Sequence, residues 1–320
     1  MTTLGTTFTR WRAESLGLDY RTCFQRVCEL GLGLIRLAAS WREVSEFGMG
    51  HLDWLLAEAQ ARSRRVLMTV GMKAPGWPEF HLPQGLEPGD PAVQRRALDH
   101  IAAVVERYRS HPAIAAWQIE NEPFNRSGPQ SLWIPRIVVR REARLVRSLD
   151  PSRPLVISTF AHFDEGLDRS SSRHQSGWLR RLHLAIPAER EALAILGTGD
   201  VLGTDVYQAI GFKDSGDVER IARAGADQLE WVARWRRIAL AQRKRFWVLE
   251  AQAEPWESQR LAQGDPLTVQ PAGIAALVAS LNRAGVETVL LWGAEYWLWR
   301  QDQGDPRWVD TVRMLLSTLA

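Results

Sequence analysis

The sequence predicts a single (β/α)8 TIM barrel of the α/β class, on three observations. Eight short apolar runs, at residues 3–8, 34–38, 65–70, 114–119, 155–158, 201–206, 246–249 and 288–292, alternate with longer amphipathic stretches. Each run is rich in Val, Ile, Leu or aromatics, as strands buried on both faces require. The length, 320 residues, suits one such barrel, so a catalytic barrel over residues 1–320 is expected.

Taken in order, helical patterns fill residues 20–30, 52–63, 91–110, 132–148, 178–196, 225–243 and 271–284, and a last one at 308–319 closes the chain. Asp19 and Asp90 stand where helix caps are needed, and Gly31, Gly197 and Gly285 follow helix ends. The segment Asp150-Pro-Ser-Arg-Pro154 stops a helix just before the fifth run. An open, doubly wound sheet is the structural alternative. Its Gly-rich phosphate fingerprint is missing, because Gly31-Leu-Gly33 lacks a third glycine and leads into a strand.

Composition excludes several function classes. With 45% apolar and 24% charged residues, the chain is neither disordered nor collagenous. No apolar run reaches about eighteen residues, so no membrane-spanning helix is expected. Basic and acidic residues nearly balance, 40 against 37. The basic ones are arginines except Lys73, Lys213 and Lys244, and their helical spacing, as at Arg136, Arg140, Arg144 and Arg147, marks a solvated face. Without a nucleic-acid-binding motif beside them, no nucleic-acid partner is expected. Cys23 and Cys28 are expected to be buried free thiols. The N-terminus has no basic segment followed by an apolar run, which predicts a cytoplasmic protein, or a secreted one if a leader has been removed. Nothing in the sequence speaks to oligomeric state. Fifteen tryptophans are the unusual feature, and Trp is often kept where one ring face meets a ligand.

In a (β/α)8 barrel the chemistry sits at the carboxyl ends of the strands. The fourth run ends Trp117-Gln-Ile-Glu120-Asn121-Glu122-Pro123, and the seventh ends Phe246-Trp-Val-Leu-Glu250. A carboxylate ending an apolar strand is costly unless it has a task or a partner. Two of them across one barrel mouth form the pair that glycoside hydrolysis uses: one protonates the departing oxygen, and the other attacks the sugar carbon or activates water.

These segments resemble the Asn-Glu-Pro motif of glycoside hydrolase clan A, the retaining (β/α)8 enzymes with catalytic glutamates on strands four and seven. The resemblance implies Glu122 as acid/base, Glu250 as nucleophile and Asn121 as the residue that binds the sugar 2-hydroxyl. It also implies that Arg36 holds the nucleophile ionised, that Tyr207 hydrogen-bonds it and that Trp292 floors the sugar site. The chain departs from the cellulase-like family 5. Strand three has no matching histidine and runs Val70-Gly-Met-Lys-Ala-Pro-Gly-Trp77-Pro, and Asp205 stands where family 5 has histidine before the tyrosine. A neighbouring family of the clan therefore remains open, and with it the sugar, the linkage and endo or exo action.

Alternatives remain at several positions. Glu120 is a second candidate acid, and Glu254 a second candidate nucleophile. Trp41, Trp77, Trp256, Trp297 and Trp299 follow strands, where sugar stacking is expected; Trp11, Trp54, Trp231, Trp235 and Trp308 lie in or near helices and are expected to pack. Glu295 is either a ligand for sugar hydroxyls or a loop salt-bridge partner. The histidines show no metal-ligand spacing, so no metal and no cofactor are expected. The expected function is retaining hydrolysis of β-glycosidic bonds in a carbohydrate substrate, with a transglycosylase or an inactive sugar-binding barrel as rivals. The long segment 161–200 is expected to wall the cleft and favour exo action.

Overall fold

A computed structural model describes residues 2–163, 187–213, 219–257 and 265–319. Eight parallel strands close into a barrel: β1 (Thr3–Thr7), β2 (Leu34–Ala38), β3 (Arg65–Val70), β4 (Ile114–Ile119), β5 (Leu155–Phe160), β6 (Val201–Val206), β9 (Arg245–Gln252) and β10 (Thr288–Trp292). The eight-stranded (β/α)8 expectation is met, with β10 pairing back onto β1. The fifth and seventh runs extend past their apolar stretches. Their polar ends stay in the ladder, as Phe160 pairs with Asp205 and Asp205 with Glu250.

Four elements were not anticipated. Helices Arg10–Ser15, Trp41–Phe47 and Ala294–Asp302 follow β1, β2 and β10, and an antiparallel hairpin, β7 (Ala209–Lys213) with β8 (Glu219–Arg223), follows β6. All four lie after the carboxyl ends of strands, where they shape the mouth. Of the helix expected at 178–196, Ala188–Leu193 is helical and residues 178–186 lie outside the described residues. The wall expected from 161–200 falls largely outside them as well.

Two apolar clusters form the core. Leu34, Leu67, Ala116, Val156, Val201, Trp247, Leu249 and Leu290 fill the lumen, and a larger cluster fills the layer between strands and helices. The lumen is tight at Gly5, where a Cβ would lie 2.2 Å from the Leu34 carbonyl oxygen and 2.3 Å from Leu290 Cδ2. Cys23 and Cys28 are buried free thiols in the outer layer.

One irregularity positions the chemistry. In the β6–β9 ladder Thr204 pairs with Val248 and Asp205 with Glu250, so Leu249 is a surplus residue. Trp247 and Leu249 both point into the lumen, and strict alternation would then send Glu250 outward among the helices. The bulge resets the alternation and turns Glu250 into the mouth.

Candidate active site

The mouth holds a cleft of about 540 Å³. That volume suits a small ligand. Its polar lining includes Asn121, Glu122, Tyr207 and Glu250, and its aromatic lining Trp11, Trp77, Trp256 and Trp292.

Glu250 is held from two sides. The Arg36 guanidinium, 0% exposed, ion-pairs with Glu250 Oε1, and the Tyr207 hydroxyl donates to Glu250 Oε2 at 2.7 Å. Arg36 is itself fixed by its Nε donating to Thr7 Oγ1 at 2.9 Å. Tyr207 is braced by the Trp256 ring at 4.8 Å, edge to face, and by the stacked Phe160 at 5.8 Å. Charge-assisted bonds of this kind are about twice as strong as neutral ones.

Asn121 has its orientation dictated by donors. Arg36 Nη1 at 3.4 Å, Gln118 Nε2 at 3.3 Å and the Ser158 hydroxyl at 3.4 Å all approach its Oδ1, so Nδ2 is left to face the cleft. The Glu122 amide donates to Ser158 Oγ at 2.9 Å, and the buried Lys73 ammonium donates to the Glu122 carbonyl at 2.8 Å. These bonds secure a turn in which Glu120 has φ +59° and Glu122 φ +42°, values that glutamate rarely adopts.

That turn separates the two glutamates. Glu120 is directed away from the cleft, accepting from the Met72 and Lys73 amides at 2.9 and 2.5 Å. Its carboxyl also meets that of Glu142, from helix Arg136–Leu149, so the pair must share a proton. Burial pushes Glu120 up to about 7 and raises Glu142 well above the ordinary carboxyl range. Gly71, at φ +130°, leaves room for this arrangement, since a Cβ there would lie 2.3 Å from Glu120 Cδ. Glu120 is thus remote from any sugar in the cleft.

The Glu122 carboxyl faces the cleft and lies against that of Asp205, the residue paired in register with Glu250. Burial first, then the negative charge of Glu250, raises Glu122 above its ordinary value. Asp205, buried between Glu250 and Glu122, is raised well above its own. Two adjacent carboxyls in such a setting cannot both ionise near neutral pH, so a proton stays in the mouth.

The other expected site residues divide. Trp77, 69% exposed, and Trp256 and Trp292 line the cleft. Trp41 does not: it opens the unanticipated helix Trp41–Phe47, 7% exposed, with its ring stacked on His100 at 5.6 Å. The spacing Ser40-x-x-Glu43, with Glu43 N donating to Ser40 Oγ at 3.3 Å, is the signal that marks this helix start. Glu295 also misses the cleft. It falls in the first turn of helix Ala294–Asp302, where its Oε1 accepts from the Thr9 amide at 2.6 Å. Trp297 is fully buried and donates to the Ala253 carbonyl at 2.7 Å. Trp11, expected to pack, lines the cleft because helix Arg10–Ser15 places it there. Glu254 lines the cleft too, paired with Arg12 and without a tyrosine donor. Glu79 and Asp205 are the carboxyls that sequence reasoning left without a role. Among the described residues no group of His, Cys, Asp and Glu is arranged to hold a metal ion.

Residues 51–185, which contain Glu122 but not Glu250, match the family model described as glycosyl hydrolases family 2, TIM barrel domain. That match covers less than half of the chain. The barrel superimposes on the β-galactosidase of the Antarctic haloarchaeon Halorubrum lacusprofundi with a TM-score of 0.56 and 15% identity, over 91% of this chain and 52% of that one. The β-galactosidase of the psychrophilic Marinomonas ef1 gives a TM-score of 0.59 at 13% identity, over 100% of this chain and 59% of that one. The endo-1,4-β-D-mannanase of Thermotoga petrophila RKU-1 gives 0.57 at 13%, over 91% and 88%. At such identities the likeness is one of fold. The chain spans about half the length of the first β-galactosidases it matches. No curated protein matches it in sequence. The clan resemblance read from the strand ends is borne out, with the model match falling to family 2.

Proposed function

We propose that the protein is a retaining β-glycosidase in which Glu250 attacks the anomeric carbon and Glu122 is the acid/base. One observation carries the reading: Arg36 and Tyr207 converge on the two oxygens of Glu250, while Glu122 stands opposite beside a proton-sharing Asp205. A carboxylate with both oxygens bonded to donors is an acceptor-only group, as a nucleophile must be. A carboxyl raised by burial keeps the proton that a departing oxygen needs. In the first step Glu250 bonds to carbon as Glu122 protonates the leaving group. In the second, Glu122 takes a proton from water as that water displaces Glu250. Asn121 Nδ2 and the Trp292 ring serve to orient the sugar.

The test is a panel of aryl β-glycosides with Glu250→Ala and Glu122→Ala. Both variants are expected to lose nearly all turnover with substrates that have poor leaving groups. Added azide is expected to restore Glu122→Ala, giving a β-glycosyl azide. An α-anomeric first product seen by NMR, or near-normal turnover by Glu250→Ala, overturns the reading. Sugar products formed in the presence of competing acceptors distinguish hydrolysis from glycosyl transfer.

A further inference from the structure

The catalytic scheme leaves one cleft carboxylate without a task. Glu79 follows the cis Trp77–Pro78 bond, and its φ of +74° is a left-handed conformation unusual for glutamate. Its Oε2 accepts from Asn121 Nδ2 at 3.4 Å, on the edge of Asn121 that faces the cleft. Among the described residues that is its single side-chain hydrogen bond, and no cation lies within ion-pair distance of it. Glu79 is half-buried and lines the cleft, where its carboxyl can meet whatever occupies the floor.

The charge around Glu79 is one-sided. Glu122, Glu250, Glu254 and Glu257 line the same cleft, against one guanidinium, Arg12, which is already paired with Glu254. Lys73 is buried beneath, donating to the Glu122 and Asn125 carbonyls at 2.8 and 3.3 Å. Burial, and after the opposing pull of Lys73 the charges of Glu122 and Glu250, push the Glu79 carboxyl up to about 8, so it keeps a proton near neutral pH that an ammonium beside it would displace. A sugar carboxylate placed here would meet like charge with no cation to pair with. A sugar ammonium would instead supply the missing counter-ion.

We propose that Glu79 makes the cleft floor selective by charge, favouring a β-linked sugar that carries an ammonium group, accepting its neutral counterpart and rejecting a uronic acid. This rests on the glycosidase reading above. The test compares kcat/KM for the aryl β-glycosides of glucose, 2-amino-2-deoxyglucose and glucuronic acid, and for the galactose counterparts, in the wild-type protein and in Glu79→Gln. The wild type is expected to rank amino above neutral above uronic, with the uronide at least about 100-fold below its neutral counterpart. Glu79→Gln is expected to close that gap by about tenfold and to remove the advantage of the amino sugar. A wild-type uronide rate within about threefold of the neutral one, or an order unchanged in Glu79→Gln, overturns the proposal. The wild-type comparison stands even if the variant fails to fold. Turnover without charge order sinks this proposal alone, whereas no turnover of any of the six sinks the glycosidase reading with it.

Discussion

The Tyr207 hydroxyl donates to Glu250 Oε2 at 2.7 Å, occupying the oxygen that the Arg36 ion pair leaves free. The two supports come from opposite sides of the barrel, Arg36 from β2 and Tyr207 from just past β6. Replacing Tyr207 by Phe removes one charge-assisted hydrogen bond and little packing. It is expected to lower kcat/KM by about 10- to 100-fold, with the melting temperature nearly unchanged. Full activity in Tyr207→Phe, measured on an aryl glycoside, argues against the role given to this contact.

With Glu122 as the proposed acid, the Glu122–Asp205 pair is expected to set the alkaline side of the pH profile. With both carboxyls present, losing their shared proton leaves two negative charges in contact, which keeps one proton on the pair to higher pH. Asp205→Asn keeps a hydrogen-bond donor but removes the second charge. The alkaline limb of kcat/KM is therefore expected to move to lower pH, by about one to two units. A limb that stays put, or moves upward, contradicts the shared proton.

Below the mouth, the Glu120–Glu142 pair links stability to pH. Glu120 is raised from 4.5 to about 7 in the folded state, so the fold holds a proton that the unfolded chain has lost between those values. Stability is then greatest below about 4.5 on this account and falls as pH rises through about 7. Glu142→Gln supplies a donor to Glu120 that cannot titrate. The drop in melting temperature between pH 5 and pH 8 is expected to shrink by about 2–4 °C in this variant. Parallel melting curves for the two proteins would refute the link.

Gly71→Ala places a methyl against the Glu120 carboxyl and demands φ +130° of an alanine. The expected cost is about 2–4 kcal/mol by denaturant titration, with activity falling as the Glu120–Glu122 turn shifts. A variant as stable as wild type would mean that the turn relaxes freely.

Trp41 and Trp77, both expected from sequence to touch sugar, should now separate. Trp41→Ala empties a buried site and is expected to cost about 3–5 kcal/mol of stability. Trp77→Ala removes an exposed ring from the cleft, and is expected to reduce kcat/KM about tenfold without lowering the melting temperature.

The barrel was legible because the period of its strands is written in apolar residues, and the boundaries of β2, β3, β4 and β6 match the runs. The strand-end glutamates were legible because Glu122 and Glu250 interrupt that pattern. What sequence hid lies in the loops after the strands. Trp41 and Glu295 looked like cleft residues until short helices began at those positions and turned them inward, and Trp11 entered the cleft by the same device. Glu79 was hidden because its direction depends on a left-handed backbone angle, not on periodicity. Asp205 was noticed as a substitution, but its contact with Glu122 needs the β4 and β6 ends to be seen side by side.

The surplus residue in β9 has a consequence for how this protein tolerates change. Glu250 is aimed by a count and not by a side chain: Leu249 is the extra step that brings it round to the mouth. Deleting one residue from that strand would leave the ladder, the lumen filling and the glutamate all present, yet deliver the carboxylate to the helical layer. A barrel that still closes would then lack its proposed nucleophile. Point substitutions along β9 leave the count intact, so the aim of Glu250 is robust to the commonest kind of mutation and fragile to the rarest.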